Sequence, residues 1–228
     1  VASGIPFGNR LGKRTSRPYR RYRPLPAVIV LVVLGLVAMV VWVRAIASKA
    51  DIDAQTRCSP PATPPAGVIF TSVGHGALDD AAPLPLEQVA VRVLNASQSR
   101  GLASITTESL RQQGFTQVAP PDNDPAYPQG NAKCRGQIRF GEHGTSAART
   151  LSFVAPCAEL VKDNRADATV DLVIGNGFTD LQITEPAHRV LQQLQDWSAQ
   201  HPGGGNDQSA TSPVIDPSLL AAAHDVAC

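Results

Sequence analysis

Residues 89–115 read VAVRVLNASQSRGLASITTESLRQQGF. Val89, Val91 and Val93 alternate with Ala90, Arg92 and Leu94, the two-residue period of a strand that ends at Asn95. Ser97, Ser99 and Gly101 then make a turn, after which Leu102, Ile105 and Leu110 recur at roughly helical spacing until Gly114 stops the helix. Working outward, Phe115–Ala119 is expected as a short second strand before Pro120-Pro121, and a second strand-then-helix unit follows. It opens with Gln137-Ile138-Arg139-Phe140, turns through Gly141 and Gly144, and continues as a helix from Thr145 or Ser146 through Ala148, Leu151 and Val154, which Pro156 should kink or end. Thr169–Ile174 alternates as a fourth strand and turns at Gly175-Asn176-Gly177. Pro186–Gln200 carries Val190, Leu191, Leu194 and Trp197 at the spacing of one packed helix face. The order is βαββαβ plus an extra C-terminal helix, an α+β domain of the α/β-type two-layer kind.

Upstream the character of the chain changes. Seven basic residues and no acid lie between Val1 and Pro26, whereas all 19 acids lie beyond Ile46, where Lys and Arg number only 12. Between these regions Leu25–Val43 is wholly apolar or small, and at 1.5 Å per residue its length as a helix is about 29 Å, close to a bilayer's hydrocarbon thickness. The expected organisation is a basic cytoplasmic tail over 1–26, a transmembrane helix over 27–46, a proline-rich extracytoplasmic spacer over 47–66, a globular domain over 67–200 and a C-terminal tail over 201–228. Basic residues beside a span stay in the cytoplasm, so the expected location is the cell membrane, single-pass, with the C-terminal domain outside. A cleaved signal peptide would use Ala45-Ile46-Ala47, but the apolar run is too long for one and Arg44 sits just before the cut. A buried soluble helix would need a polar edge somewhere in the run. The same basic residues could bind phosphate backbones, but topology and anionic headgroups account for them, and the acidic outer part argues against a nucleic-acid partner.

All four cysteines, Cys58, Cys134, Cys157 and Cys228, fall in the exported part, so two disulfides are expected. Four cysteines allow three connectivities. A helix of about thirteen residues returning over the strand that follows Cys134 would bring Cys157 beside it, which pairs Cys134 with Cys157 and leaves Cys58 for Cys228. Their spacing contains no close ligand pair and the histidines are scattered, so no metal is expected.

Motifs for chemistry are sparse. Gly144-Thr145-Ser146 opens a helix as a cap would, rather than forming a nucleophile elbow. Gly175-Asn176-Gly177 is a turn without a dinucleotide fingerprint, and Glu142-His143 is a solvated loop pair. The acids show no pairing that would single out a general acid and base, so neither an enzyme nor a cofactor is expected.

The stretch Val91-Arg92-Val93-Leu94-Asn95-Ala96, then Gly101-Leu102-Ala103, Leu110 and Gly114-Phe115, resembles the opening of the LytR C-terminal domain. The Ala147-Ala148 helix and the strand Val170-Asp171-Leu172-Val173-Ile174-Gly175 resemble its second half, so the likeness covers roughly Glu87–Phe178. This resemblance implies a wall-related role in a Gram-positive, mycolic-acid-type envelope. In larger proteins this domain accompanies a catalytic domain that attaches glycopolymers to peptidoglycan. That catalytic domain is missing here, so the resemblance supports an envelope-integrity role and not the transferase activity.

Two functions remain: a membrane-anchored module that acts through envelope protein partners, or a binding module for a wall glycan, a lipid-linked precursor or a small envelope ligand. Both would use loops at strand ends, which makes Asn95, Ser97, Arg100 and Arg139 the candidate contacts. Arginine can hold a carboxylate or phosphate bidentately, and helix-opening backbone amides favour anions. Against that, Asn and Ser commonly bond their own turns and exposed arginines are often only solvated.

Overall fold

The computed structural model of the chain describes residues 25–61, 64–201, 213–226 and 228. The basic segment before residue 25 and residues 202–212 of the expected C-terminal tail lie outside the described residues. The chain divides into two units, Val1–Arg44 and Ala45–Cys228.

Helix α1, Leu25–Thr56, begins in the first unit and ends in the second. Its valine, leucine, isoleucine, methionine and tryptophan side chains from Val28 to Val43 are all at least half exposed. Among the described residues no helix is long and apolar enough to cross a membrane. The described side chains of α1 begin at Val28, inside the expected Leu25–Val43 segment, and Arg44 follows that segment's other end.

The second unit continues through β1 (Thr71–Val73), β2 (Val91–Asn95), α2 (Leu102–Gln112), β3 (Asp122–Asn123), β4 (Gly136–Phe140) and α3 (Thr145–Ser152). It ends with β5 (Glu159–Lys162), β6 (Val170–Ile174), α4 (Glu185–Gln200) and α5 (Pro217–His224). The six strands form one mixed sheet in the order β1-β5-β4-β6-β2-β3. β2 runs parallel to β6 and β3, β4 runs parallel to β5 and antiparallel to β6, and β1 pairs antiparallel with β5.

Alternation along the strands separates two faces. Val91, Val93, Ile138, Phe140, Leu160, Val170, Leu172 and Ile174 join one core with α2 to α5, through residues such as Leu110, Leu151, Val190, Leu194 and Ala223. The opposite face carries a much smaller apolar cluster of Leu94, Ala96, Ala126, Tyr127, Ala132 and Val173, under the loop that links β3 to β4. Helix α4 is started by Thr184, whose hydroxyl accepts from the Ala187 amide at 3.3 Å. Asp216 does the same for α5 by accepting from the Ser218 amide at 2.7 Å.

Four expectations change. Phe115–Ala119 makes only an isolated bridge, Val91 to Val118, and pairing with β2 resumes at Asp122. Pro120-Pro121 interrupts it, because proline has no amide hydrogen to donate. β1 and β5, too short to show a period in the sequence, complete one side of the sheet. The tail contains α5, which packs on α4.

The cysteine pairing is the fourth correction. The disulfides are Cys58–Cys134 and Cys157–Cys228, not Cys134–Cys157 and Cys58–Cys228. The expectation needed a helix of about thirteen residues returning beside β4, whereas α3 has eight. Residues 153–158 then turn into β5, which lies beside β4 with Gln137 opposite Glu159. Cys134 and Cys157 therefore precede neighbouring parallel strands, but each sulfur is met by an arriving segment. The Cys58 amide donates to Glu159 at 3.0 Å and brings Cys58 to Cys134, while α5, packed on α4, carries the chain end to Cys157.

Candidate functional site

Asn95 ends β2, and its side chain organises the turn behind it. Its Oδ1 accepts from the Ser97 amide at 3.0 Å and the Ser97 hydroxyl at 2.8 Å, while its Nδ2 donates to the Ser99 carbonyl at 3.0 Å. Ser97 is buried, and its hydroxyl also accepts from the Ser99 amide at 3.2 Å. Asn176, just past β6, accepts from the Gln98 amide at 3.1 Å and donates to the Gly130 carbonyl at 2.8 Å, so the turn is tied to the loop opposite. Arg100 is exposed on the same turn. An open depression of about 180 Å³ lies beside Asn95, Gly101, Asp122 and Asn123.

Arg139 is not part of that rim. It lies on β4 opposite Asp171, whereas Asn95 pairs with Ile174. Its guanidinium is buried, 3.0 and 2.7 Å from the two oxygens of Asp124, and donates twice to the Gln137 Oε1 at 2.9 and 2.7 Å. The Phe70 ring covers it at 4.5 Å. Asp124 in turn accepts from the Ala126 amide at 2.9 Å, so this pair pins the β3–β4 loop to the sheet. Next to it, buried Glu159 accepts from Gln137, the Cys58 amide and the Ser72 hydroxyl, which fastens the segment after α1 to the same face. Of the four expected contacts, Asn95, Ser97 and Arg100 share one turn; Arg139 sits elsewhere with its donors engaged.

The more developed site was not singled out by the sequence. On the polar face, the register places Arg92, Asp171 and Arg139 in one row across β2, β6 and β4. Arg92 Nε donates to Asp171 Oδ1 at 3.1 Å, and Arg165 Nη2 donates to Asp171 Oδ2 at 2.6 Å. Arg165 also grips Asp163, with contacts of 2.6 to 3.0 Å. Burial disfavours the Arg165 cation, but these two carboxylates outweigh it and raise its pKa above the usual arginine value. Asp167 accepts from the hydroxyl and amide of Thr169, which lower its pKa below the usual carboxylate value. Asn164 bonds the Ile69 amide at 3.1 Å and the Gly67 carbonyl at 3.0 Å, making residues 67–69 a side wall. Between that wall and the arginine row lies a cleft of about 440 Å³. A second, of about 300 Å³, adjoins it and shares Arg92, Asp167, Thr169 and Asp171. The signal for this site was a charged residue at the alternate position of three strands: Arg92 in VRV, Arg139 in QIRF and Asp171 in VDLV. Among the described residues no group of three metal-ligating side chains is assembled.

Comparison with known proteins agrees with the strand-and-helix pattern. The family described as LytR cell envelope-related transcriptional attenuator, the LytR C-terminal domain, matches residues 88–178. The chain is 39% identical over 216 residues to the cell envelope integrity protein Cei of Mycobacterium tuberculosis, covering 93% of each protein. It is also similar to the crystal structure of the soluble domain of a conserved hypothetical secreted protein from Mycobacterium marinum. That match has 39% identity and a TM-score of 0.59, and covers 69% of this chain and 97% of the other.

Proposed function

Because the chain belongs to the LytR C-terminal domain family, and within it to the group represented by Cei, we propose that it is a single-pass membrane protein of the cell envelope. Its domain acts outside the membrane, maintaining the envelope barrier through protein contacts and without catalysis. The observation that supports this most is α1: its apolar side chains from Val28 to Val43 are left exposed, and the same helix leads into a domain closed by two disulfides. Apolar surface on that scale needs a lipid or protein environment, and the disulfides suit an oxidising compartment. The proposed span is residues 27–46, with the seven basic residues before it on the cytoplasmic side.

Alkaline phosphatase fused after Thr56 should be active in cells, and fused before Leu25 inactive; the reverse pattern would overturn the topology. Deletion of the gene should weaken the barrier and sensitise cells to wall-directed inhibitors, and unchanged permeability and sensitivity would remove the integrity role. Asn95 and Arg100 are the proposed contact positions, with Ser97 and Arg139 acting by holding the turn and the loop. Photo-crosslinking from Asn95 and Arg100 in intact cells should capture specific membrane or wall-synthesis proteins. Recovery of glycan or lipid without protein would instead favour the second reading, a ligand-binding module, for which the adjoining clefts on the polar face are the supporting observation.

A further inference from the structure

The charge balance of the polar-face groove decides what it can hold. Three arginines, Arg92, Arg139 and Arg165, and three aspartates, Asp163, Asp167 and Asp171, line the larger cleft. Most of these charges are already paired: Arg165 with Asp163 and Asp171, Arg92 with Asp171, and Arg139 with Asp124 behind it. An anionic ligand would have to displace a carboxylate to gain a guanidinium, and a cationic one would meet the arginines, so no net field selects either sign.

The groove offers instead alternating donors and acceptors. Among the described residues Arg92 uses only Nε on Asp171 and is half exposed, which leaves its Nη groups as donors at the junction of the two clefts. The exposed carboxylate of Asp167 supplies an acceptor at the same junction. A hydroxyl donates and accepts at once, so neighbouring hydroxyls can bridge such a pair without bringing a charge that must be desolvated. Beside these groups lie the half-buried Phe70 and the exposed Pro125, an apolar surface for the C–H face of a sugar ring. Two clefts of about 440 and 300 Å³ that share four residues make a groove rather than a single-ring pocket.

We propose that this groove binds a neutral oligosaccharide, with Arg92 and Asp167 as the polar contacts and Phe70 and Pro125 as the apolar floor. The proposal rests on the extracytoplasmic placement only for where such a glycan would be met; the binding itself does not depend on it. The test is a glycan array of neutral and phosphorylated oligosaccharides probed with the full chain in lipid nanodiscs. Hits are then titrated against the parent protein and the Arg92→Ala and Asp167→Asn variants, each checked by thermal unfolding. Arg92→Ala leaves Asp171 paired with Arg165, so the fold should survive. Retention of neutral saccharides, weakened at least tenfold in both variants with the unfolding temperature unchanged, is expected. No neutral saccharide retained, preference for phosphorylated probes, or unaltered affinity in Arg92→Ala would each overturn it. The phosphatase fusions report on topology independently, so a failure of the groove and a failure of the membrane reading can be told apart.

Discussion

Replacing Asp124 by alanine removes the partner of a guanidinium that is 3% exposed and has nowhere to relax. Arg139 would keep only the Gln137 Oε1 as an acceptor, and the Ala126 amide would lose its bond at 2.9 Å. Breaking a buried pair by deleting one member costs about 3–5 kcal/mol, because the remaining charge is uncompensated. For a unit of this size each kcal/mol moves the midpoint by about 2–4 °C, so Asp124→Ala should unfold roughly 10 °C earlier. The double variant Asp124→Leu/Arg139→Met removes both charges and should recover most of that loss, since apolar replacement of a buried pair is often neutral. The assay is urea unfolding, with disulfides intact, of the parent, Asp124→Ala, Asp124→Leu, Arg139→Met and Asp124→Leu/Arg139→Met, the last three closing a double-mutant cycle with the parent. A cost below about 1 kcal/mol for Asp124→Ala, or no coupling between the two sites, would refute the claim that this pair pins the β3–β4 loop.

Peptide mapping without reduction should recover Cys58 linked to Cys134 and Cys157 linked to Cys228, and any peptide joining Cys134 to Cys157 would contradict the fold. Cys157→Ala/Cys228→Ala opens a link spanning 71 residues; chain-entropy reasoning puts the loss at about 4.5 kcal/mol, measured by denaturant unfolding. Gly130 holds φ +62°, and a Cβ there would sit 2.4 Å from the Ser97 carbonyl oxygen. Gly130→Ala should therefore cost at least about 1 kcal/mol, whereas a loss within error would mean that the loop moves freely. Burial lowers the pKa of His75 below its ordinary 6.5, against the raising effects of the His224 bond, Asp53 and Asp79. A group neutral in the fold but protonated in the unfolded chain gives stability that is present above pH 6.5 and lost as pH falls through the folded value. Unfolding at pH 7.5 and 5.5 should show a smaller acid loss for His75→Gln than for the parent; equal losses would exclude His75 as the source.

Long periodic elements were legible in the sequence. The strand at Val91–Asn95 and the helices after Gly101 and Thr184 fall within a residue or two of their expected places, because one face of each is buried against one core. Strands of three or four residues, Thr71–Val73 and Glu159–Lys162, left no period to detect and exist because neighbouring strands complete them. The expected disulfide pairing fails for the same reason: without β5, the end of α3 is the one return to Cys134 that the sequence pattern offers. At the candidate sites, Asn95 and Ser97 were visible as turn residues, and their bonds are those that turn chemistry predicts. The groove was hidden because its charges come from separate strands whose alignment depends on sheet order. Arg165 reaches it from a loop whose composition marks nothing unusual.

The Cys58–Cys134 link also sets a load path. Tension on the stem that carries Cys58 does not have to pass through β1 and β2, because the disulfide hands it directly to the chain entering β4. β4 is held by antiparallel bonds to β6 and parallel bonds to β5, so the pull is met as shear across two ladders rather than by unzipping an edge. The Cys157–Cys228 link delivers any pull from the chain end to the entrance of the adjacent strand. Both covalent anchors thus enter the neighbouring strands β4 and β5, and the helices can remain unstrained while that pair bears the force.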